Sequence, residues 1–122
     1  MRKFKFRAYN TRTKEFAIID DLYWFEENFV HNNGDGDWIV QQFTGVLTGS
    51  GEEVYEGDVL FLPKSWISCD FDRMAVVEWS DRHSCFLYKW KDQDSKIEED
   101  HLFIRYLQAK IIGNVLLYNP LN

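Results

Sequence analysis

The chain has 122 residues, of which 45% are hydrophobic and 17% aromatic, and its formal net charge is −6. This composition predicts one globular domain over residues 1–122 that folds without metal or disulfide support. The absence of an apolar run of about 18 residues argues against a membrane-spanning helix, and the negative charge disfavours binding to phosphate backbones. No secretion signal follows Met1, and Cys69 and Cys85 lack CxxC spacing, so we expect a cytoplasmic protein.

The N-terminal third combines alternating apolar and polar residues with strong turn signals. Residues 2–8 predict a half-buried strand with an apolar and a basic face, formed by Phe4, Phe6 and Ala8 and by Lys3, Lys5 and Arg7. A turn at 10–14 leads to a second strand from residue 16. The stretch 20–31 is compatible with a short helix or a strand. Asn-Gly-Asp-Gly at 33–36 predicts a hairpin that pairs residues 27–32 with 37–43.

The remaining chain predicts short strands separated by turns. We predict turns at 48–51, 55–58 and 80–84, strands at 59–62, 74–79 and 86–91, and a last strand at 109–118. Phe86, Tyr88 and Trp90 recur at the spacing of a buried sheet face. Ser95 and Glu98 have the spacing of a helix capping box. The pattern over 92–108 is therefore compatible with a helix or a strand. The pattern predicts a small β-barrel or sandwich.

Four segments stand out by their order and spacing: KFRAYN at 5–10, QFTGV at 42–46, GEEVYEGDV at 51–59 and IGNV at 112–115, which NPL follows at 119–121. Together they resemble the YopX family of phage and prophage proteins. The family usually has Trp at the position of Tyr9, and residues 63–105 match only loosely. The resemblance implies a mainly β fold, a small SH3-like, partly open barrel with additional strands and at most one or two short helices. It also implies a phage-derived element in a bacterial host, and it implies no activity.

The residues that carry the resemblance have a structural interpretation. Gly45, Gly51, Gly57 and Gly113 suit positions that need positive φ or a close backbone approach. Asp58 is suited to accept hydrogen bonds from backbone amides at a turn. Tyr55 is expected to bury its ring while its hydroxyl contacts solvent. Asn114 completes the set that we predict to form the structural motif: Gly45, Tyr55, Gly57, Asp58, Gly113 and Asn114.

No residue pattern predicts catalysis or a cofactor. Asp81, His83 and Cys85 would share a face if their segment were a strand, but Cα atoms two apart lie about 6.5–7 Å from each other, too far for a triad, and a polar turn with a buried Cys85 is the favoured interpretation. A metal site that includes His83 and Cys85 needs further ligands from His31, His101 or Cys69. The spacing of these residues in the sequence does not predict that they meet. Asn33, Asp35 and Asp37 begin like a calcium loop, but Trp38 and Thr44 then stand where Gly and Glu are required. We therefore predict no metal and no cofactor.

These observations favour a non-enzymatic binding or assembly module that self-associates and has a protein partner of unknown identity. The alternative is a nucleic-acid-binding protein that uses the basic first strand through Lys3, Lys5 and Arg7. A metal-dependent hydrolase that uses the acidic clusters near 20–27, 52–58 and 98–100 is a third hypothesis, less favoured because such clusters are ordinary solvated surface. We predict no membrane partner.

Overall fold

The computed structural model describes residues 5–19, 38–63, 72–92, 94–101 and 109–122. These residues form nine strands and no helix, which confirms the predicted mainly β class. The strands are β1 (Phe6–Asn10), β2 (Glu15–Ile19), β3 (Trp38–Leu47), β4 (Glu53–Tyr55), β5 (Asp58–Leu62), β6 (Arg73–Ser80), β7 (Cys85–Lys91), β8 (Ile97–His101) and β9 (Lys110–Asn114). The predictions for 20–31, for the turn at 33–36 and for 102–108 lie outside the described residues.

The described residues belong to two compact units, 1–43 and 44–122. In unit 1, β1 lies between β2 and β3 and pairs with both in antiparallel register. The predicted turn at 10–14 is confirmed, because the Asn10 side chain accepts hydrogen bonds from the amides of Arg12 and Thr13 at 2.9 and 3.1 Å. The prediction of a single domain stays a prediction.

Unit 2 contains an antiparallel five-stranded sheet in the order β8-β7-β6-β5-β9. Within the described residues this sheet does not close on itself, which agrees with the partly open barrel implied by the family resemblance. Alternate residues of its strands form a hydrophobic core together with Val46 of β3, Val54 of β4 and Ala109. The buried members of this core are Val46, Val54, Leu60, Leu62, Ala75, Val77, Phe86, Tyr88, Trp90 and Ala109.

The segment after β7 is a turn and a strand, so the capping-box interpretation of Ser95 is wrong. Asp92 Oδ1 accepts hydrogen bonds from the backbone amides of Asp94 and Lys96 at 2.8 and 2.9 Å, and Ser95 adopts φ 62°. A left-handed residue cannot continue a helix, and the chain instead reverses and pairs with β7. The last strand is shorter than predicted, because the Asn114 carbonyl accepts hydrogen bonds from Leu117 and Tyr118 in a turn.

Candidate binding surface

The family motif forms a buried turn that connects three segments of unit 2. Asp58 is 1% exposed, and its Oδ2 accepts a hydrogen bond from the Tyr55 amide at 2.8 Å, as the sequence predicts. Gly57 adopts φ 86°. Its N–H donates to the Val77 carbonyl and its carbonyl accepts from the Val115 amide, both at 2.7 Å. The turn therefore fixes β5 relative to β6 and to the chain after β9.

The other motif residues also have structural roles, with two differences from prediction. Gly45 has φ 85°, and buried Asn114 accepts a hydrogen bond from the Leu116 amide at 3.0 Å. Gly113 has no positive φ, and among the described residues no atom lies within 4 Å of the position a Cβ would take. The Tyr55 hydroxyl is buried, so its predicted contact with solvent is wrong. Neither difference creates a chemical site.

The basic first strand is partly integrated into the sheet of unit 1. Lys3 lies outside the described residues, and the Lys5 carbonyl accepts a hydrogen bond from the Phe43 amide at 2.7 Å. Arg7 Nε donates to Gln41 Oε1 at 2.9 Å, and its Cζ lies 4.7 Å from the centroid of the Phe16 ring. Binding of nucleic acid by Lys3, Lys5 and Arg7 stays a prediction.

The candidate thiol site brings together different residues from those the sequence reasoning paired. Cys85 Sγ lies 4.0 Å from His101 Nδ1 on β8, while the His83 and His101 rings are 6.0 Å apart. Asp81 instead accepts a hydrogen bond from Trp79 Nε1 at 2.9 Å. No group of three or more His, Cys, Asp or Glu side chains in the described ranges is arranged to hold a metal ion. The other candidate ligands, His31, Asn33, Asp35, Asp37 and Cys69, lie outside these ranges.

One row of side chains crosses the end of the five-stranded sheet. Lys110 pairs with Phe61, Phe61 pairs with Met74, and Lys91 pairs with Ile97. One step beyond the Ala75–Trp90 pair, Met74 comes opposite Lys91. Directly paired residues share a sheet face, so Lys110, Phe61, Met74 and Lys91 form what we call the lysine-flanked strip. Met74 is 41% exposed and Ile97, at its end, 50%.

A groove of about 490 Å³ lies beside Phe61, Met74 and Lys91 of this strip. It is lined by Phe61, Asp72, Arg73, Met74, Lys91, Asp92 and Pro120. The Arg73 guanidinium packs over the Trp90 ring at 4.4 Å, and Asp92 Oδ1 accepts the two turn amides described above. Neither Lys91 nor Lys110 forms an ion pair with a carboxylate of the described residues. The groove thus combines three apolar side chains with two basic and two acidic ones.

Sequence reasoning missed the strip, because its members come from separate strands. Each residue alone is an ordinary outward-facing position, and only the register of the sheet aligns them. The same face also carries Val59, Val76 and Leu87, which are buried, so an apolar residue at Phe61 or Met74 is no distinguishing signal.

Strand β8 provides a surface of opposite charge in the same unit. All five of its residues are exposed, and we call Glu98, Glu99 and Asp100 the acidic edge. Glu99 pairs with Lys89, whose Nζ lies 2.9 Å from Glu78 Oε2. The hydrogen bond to Glu78 raises the pKa of Lys89, and the charges of Glu78 and Glu99 act in the same direction. Carboxylates on an edge strand also disfavour unspecific pairing with other strands.

The motif turn brings two of the family-like segments, GEEVYEGDV at 51–59 and IGNV at 112–115, into contact within unit 2. The family model described as YopX protein matches residues 5–120. The chain belongs to the YopX family. A solved structure with a similar fold is protein EF1440 from Enterococcus faecalis. It has a TM-score of 0.51 and 18% sequence identity, and the match covers 94% of each chain. At this identity the likeness shows the fold alone.

The search of curated proteins gave no match. Among the described residues, no helix has the length and apolar character needed to cross a membrane.

Proposed function

We propose that this YopX-family chain is a non-enzymatic binding module that self-associates and serves assembly in a phage-derived element within the cytoplasm of a bacterial host. The observation that carries the proposal is the lysine-flanked strip with its exposed Met74 and the neighbouring exposed Ile97. Apolar side chains grouped at one end of a sheet lose free energy when a second surface covers them. The family resemblance supports the phage origin, and the strip supports the interaction.

The test measures solution mass by light scattering from micromolar to millimolar protein. Wild-type chain is expected to show a mass that rises from monomer to dimer with concentration. Met74→Lys introduces a charge into the middle of the strip and is expected to keep the chain monomeric. Leu117→Lys is the matched control, because Leu117 is 63% exposed in the turn after β9. Monomer at every concentration for the wild-type chain would reject the proposal.

Nucleic-acid binding by the first strand has one supporting observation. Arg7 lies beside Phe16, which is 40% exposed, and Ile18 and Ile39 are exposed on the same face. A guanidinium next to an exposed ring is an arrangement that stacks on unpaired bases. The interaction of Arg7 with Gln41 limits its reach, so this function ranks second.

A metal-dependent hydrolase ranks third. Asp72 and Asp92 come from separate segments and both line the groove, as such an enzyme requires. Asp92 Oδ1, however, already accepts hydrogen bonds from two backbone amides of the turn. Arg73 and Lys91 line the same groove. Cations so close compete with a divalent ion for the carboxylates. The groove is therefore better suited to a protein surface than to a metal.

A further inference from the structure

We infer that the lysine-flanked strip binds an extended, acidic segment of a partner protein, in which two carboxylates flank one apolar side chain at the spacing acidic-x-apolar-x-acidic. The inference rests on the proposed role of the strip as an interaction surface, and it names the chemistry of the partner. Such a segment and a second copy of the chain both cover Met74, so the two compete for the strip.

Two lysines supply the charge that the partner matches. Lys110 and Lys91 flank the two apolar members of the row, and neither forms an ion pair with a carboxylate of the described residues. The carboxylates of the groove, Asp72 and Asp92, lie before β6 and after β7 and so outside the row. Asp92 Oδ1 already accepts two backbone amides. Carboxylates on the partner therefore meet ammonium groups that the described part of the chain leaves unpaired.

The strand spacing of the sheet determines the spacing of the two acidic residues. Lys110 on β9 and Lys91 on β7 are separated by three strand spacings, which places their Cα atoms about 14 Å apart. An extended segment that crosses the strands rises about 3.4 Å per residue, so residues i and i+4 are also about 14 Å apart on one side. Residue i+2 then lies between Phe61 and Met74. An apolar side chain at i+2 covers Met74, which is 41% exposed.

The covered surface beside the strip favours a single extended chain over a helix. Val59 and Val76 lie two residues along the strands from Phe61 and Met74 on the same face, and both are buried. A helix is about 10–12 Å wide with its side chains and would overlap with the atoms that bury these valines, whereas an extended chain takes up about 4.8 Å. The adjoining groove of about 490 Å³ also has the size of a ligand site, roughly 300–1,000 Å³.

Fluorescence anisotropy with two labelled peptides of equal composition tests the inference on the full-length chain. Ser-Glu-Ser-Leu-Ser-Glu-Ser has the required spacing, and Ser-Ser-Glu-Glu-Leu-Ser-Ser does not. We expect the first peptide to bind about fivefold more tightly, because the second can reach only one of the two lysines. This comparison changes no residue of the protein and so does not depend on the folding of a variant.

Charge reversal of the strip tests the position of the peptide. Lys91→Glu/Lys110→Glu is expected to weaken binding of the spaced peptide by at least about tenfold and to bind Ser-Lys-Ser-Leu-Ser-Lys-Ser instead. Lys14→Glu/Arg82→Glu is the matched control, with the same change in net charge at exposed positions in turns. It is expected to bind the spaced peptide like wild type. Melting curves verify that both double variants are folded.

The outcomes keep the inference apart from the proposed self-association. Equal affinity for the two acidic peptides, or equal weakening by the two double variants, overturns the inference, because binding would then follow charge and not position. Tighter binding of an oligothymidylate that the strip variant abolishes overturns it in favour of nucleic acid. Light scattering of the chain without peptide decides self-association separately, so either result can fail while the other stands.

Discussion

Gly57 shows how a single residue fixes the motif turn. Its φ of 86° lies in the left-handed region, where a side chain is strained, while both its backbone groups are hydrogen-bonded to other segments. Gly113, by contrast, has no positive φ and an open surrounding among the described residues. The two glycines of the same family motif therefore occupy physically different positions. Only the backbone conformation at Gly57 requires glycine.

We expect Gly57→Ala to lower the free energy of unfolding by about 1–2 kcal/mol, because alanine must adopt the left-handed conformation. Gly113→Ala is the matched control and is expected to change it by less than about 0.5 kcal/mol, or to stabilise by restricting the unfolded chain. Urea unfolding followed by tryptophan fluorescence measures both. Equal losses for the two variants would contradict the assignment of strain to Gly57.

Strand β7 carries an aromatic ladder in the core of unit 2. The Tyr88 and Trp90 rings are stacked with centroids 5.4 Å apart, and the Phe86 ring meets Trp79 edge-on at 5.0 Å. Burial raises the pKa of Tyr88, the charge of Asp100 on β8 raises it further, and Arg73 acts in the opposite direction. The neutral phenol is therefore the form that the folded chain prefers.

This preference predicts an alkaline loss of stability. The folded pKa of Tyr88 lies above the ordinary value of 10.0, so its contribution is complete below that pH and is lost as pH rises toward the folded pKa. We expect the urea midpoint to fall more between pH 9 and pH 11 in wild type than in Tyr88→Phe, which cannot ionise. Tyr118→Phe, at a 61% exposed position, should behave like wild type. Parallel pH profiles for wild type and Tyr88→Phe would refute the prediction.

Most strands were predictable from apolar alternation and the turns that flank them, although Arg73–Ser80 and Cys85–Lys91 each bury three consecutive residues, 75–77 and 86–88, and so are covered on both faces. Ile97–His101 was not, because all five residues are exposed and its stability comes from pairing with β7. The capping-box spacing at Ser95 therefore predicted a helix, whereas pairing with β7 stabilises a strand. No local sequence pattern indicates that pairing. The lysine-flanked strip was unpredictable for a related reason, since register between distant segments aligns its side chains.

For the molecule as a whole, net charge decides how nucleic-acid binding should behave. A charge of −6 repels phosphate at long range, so any attraction must come from the first strand at short range. The acidic edge and the basic residues of the first strand belong to different parts of the chain. Binding of nucleic acid is thus expected only at low salt concentration, where few cations compete with the protein for phosphate.

We expect fluorescence anisotropy with a single-stranded oligothymidylate to show weak binding at low salt and none at physiological salt. Three contacts to phosphate give a slope of about −2 for log K against log salt. Lys3→Ala/Lys5→Ala/Arg7→Ala should abolish the binding, whereas Lys14→Ala/Arg82→Ala/Lys96→Ala, at exposed positions, should leave it intact. Tight binding at physiological salt would promote nucleic-acid recognition above self-association.

The bonds around Gly57 also determine when unit 2 completes its fold during synthesis. The Gly57 carbonyl pairs with Val115, and β5 has β9 as one of its two neighbours, yet β9 leaves the ribosome long after β5. When β5, β6 and β7 have emerged from the ribosome, the backbone of β5 is therefore an unpaired sheet edge beside the core. Such an edge is open to pairing with other chains until β9 arrives. Translation of the segment between β7 and β9 thus sets the interval in which the newborn chain is most in need of a chaperone.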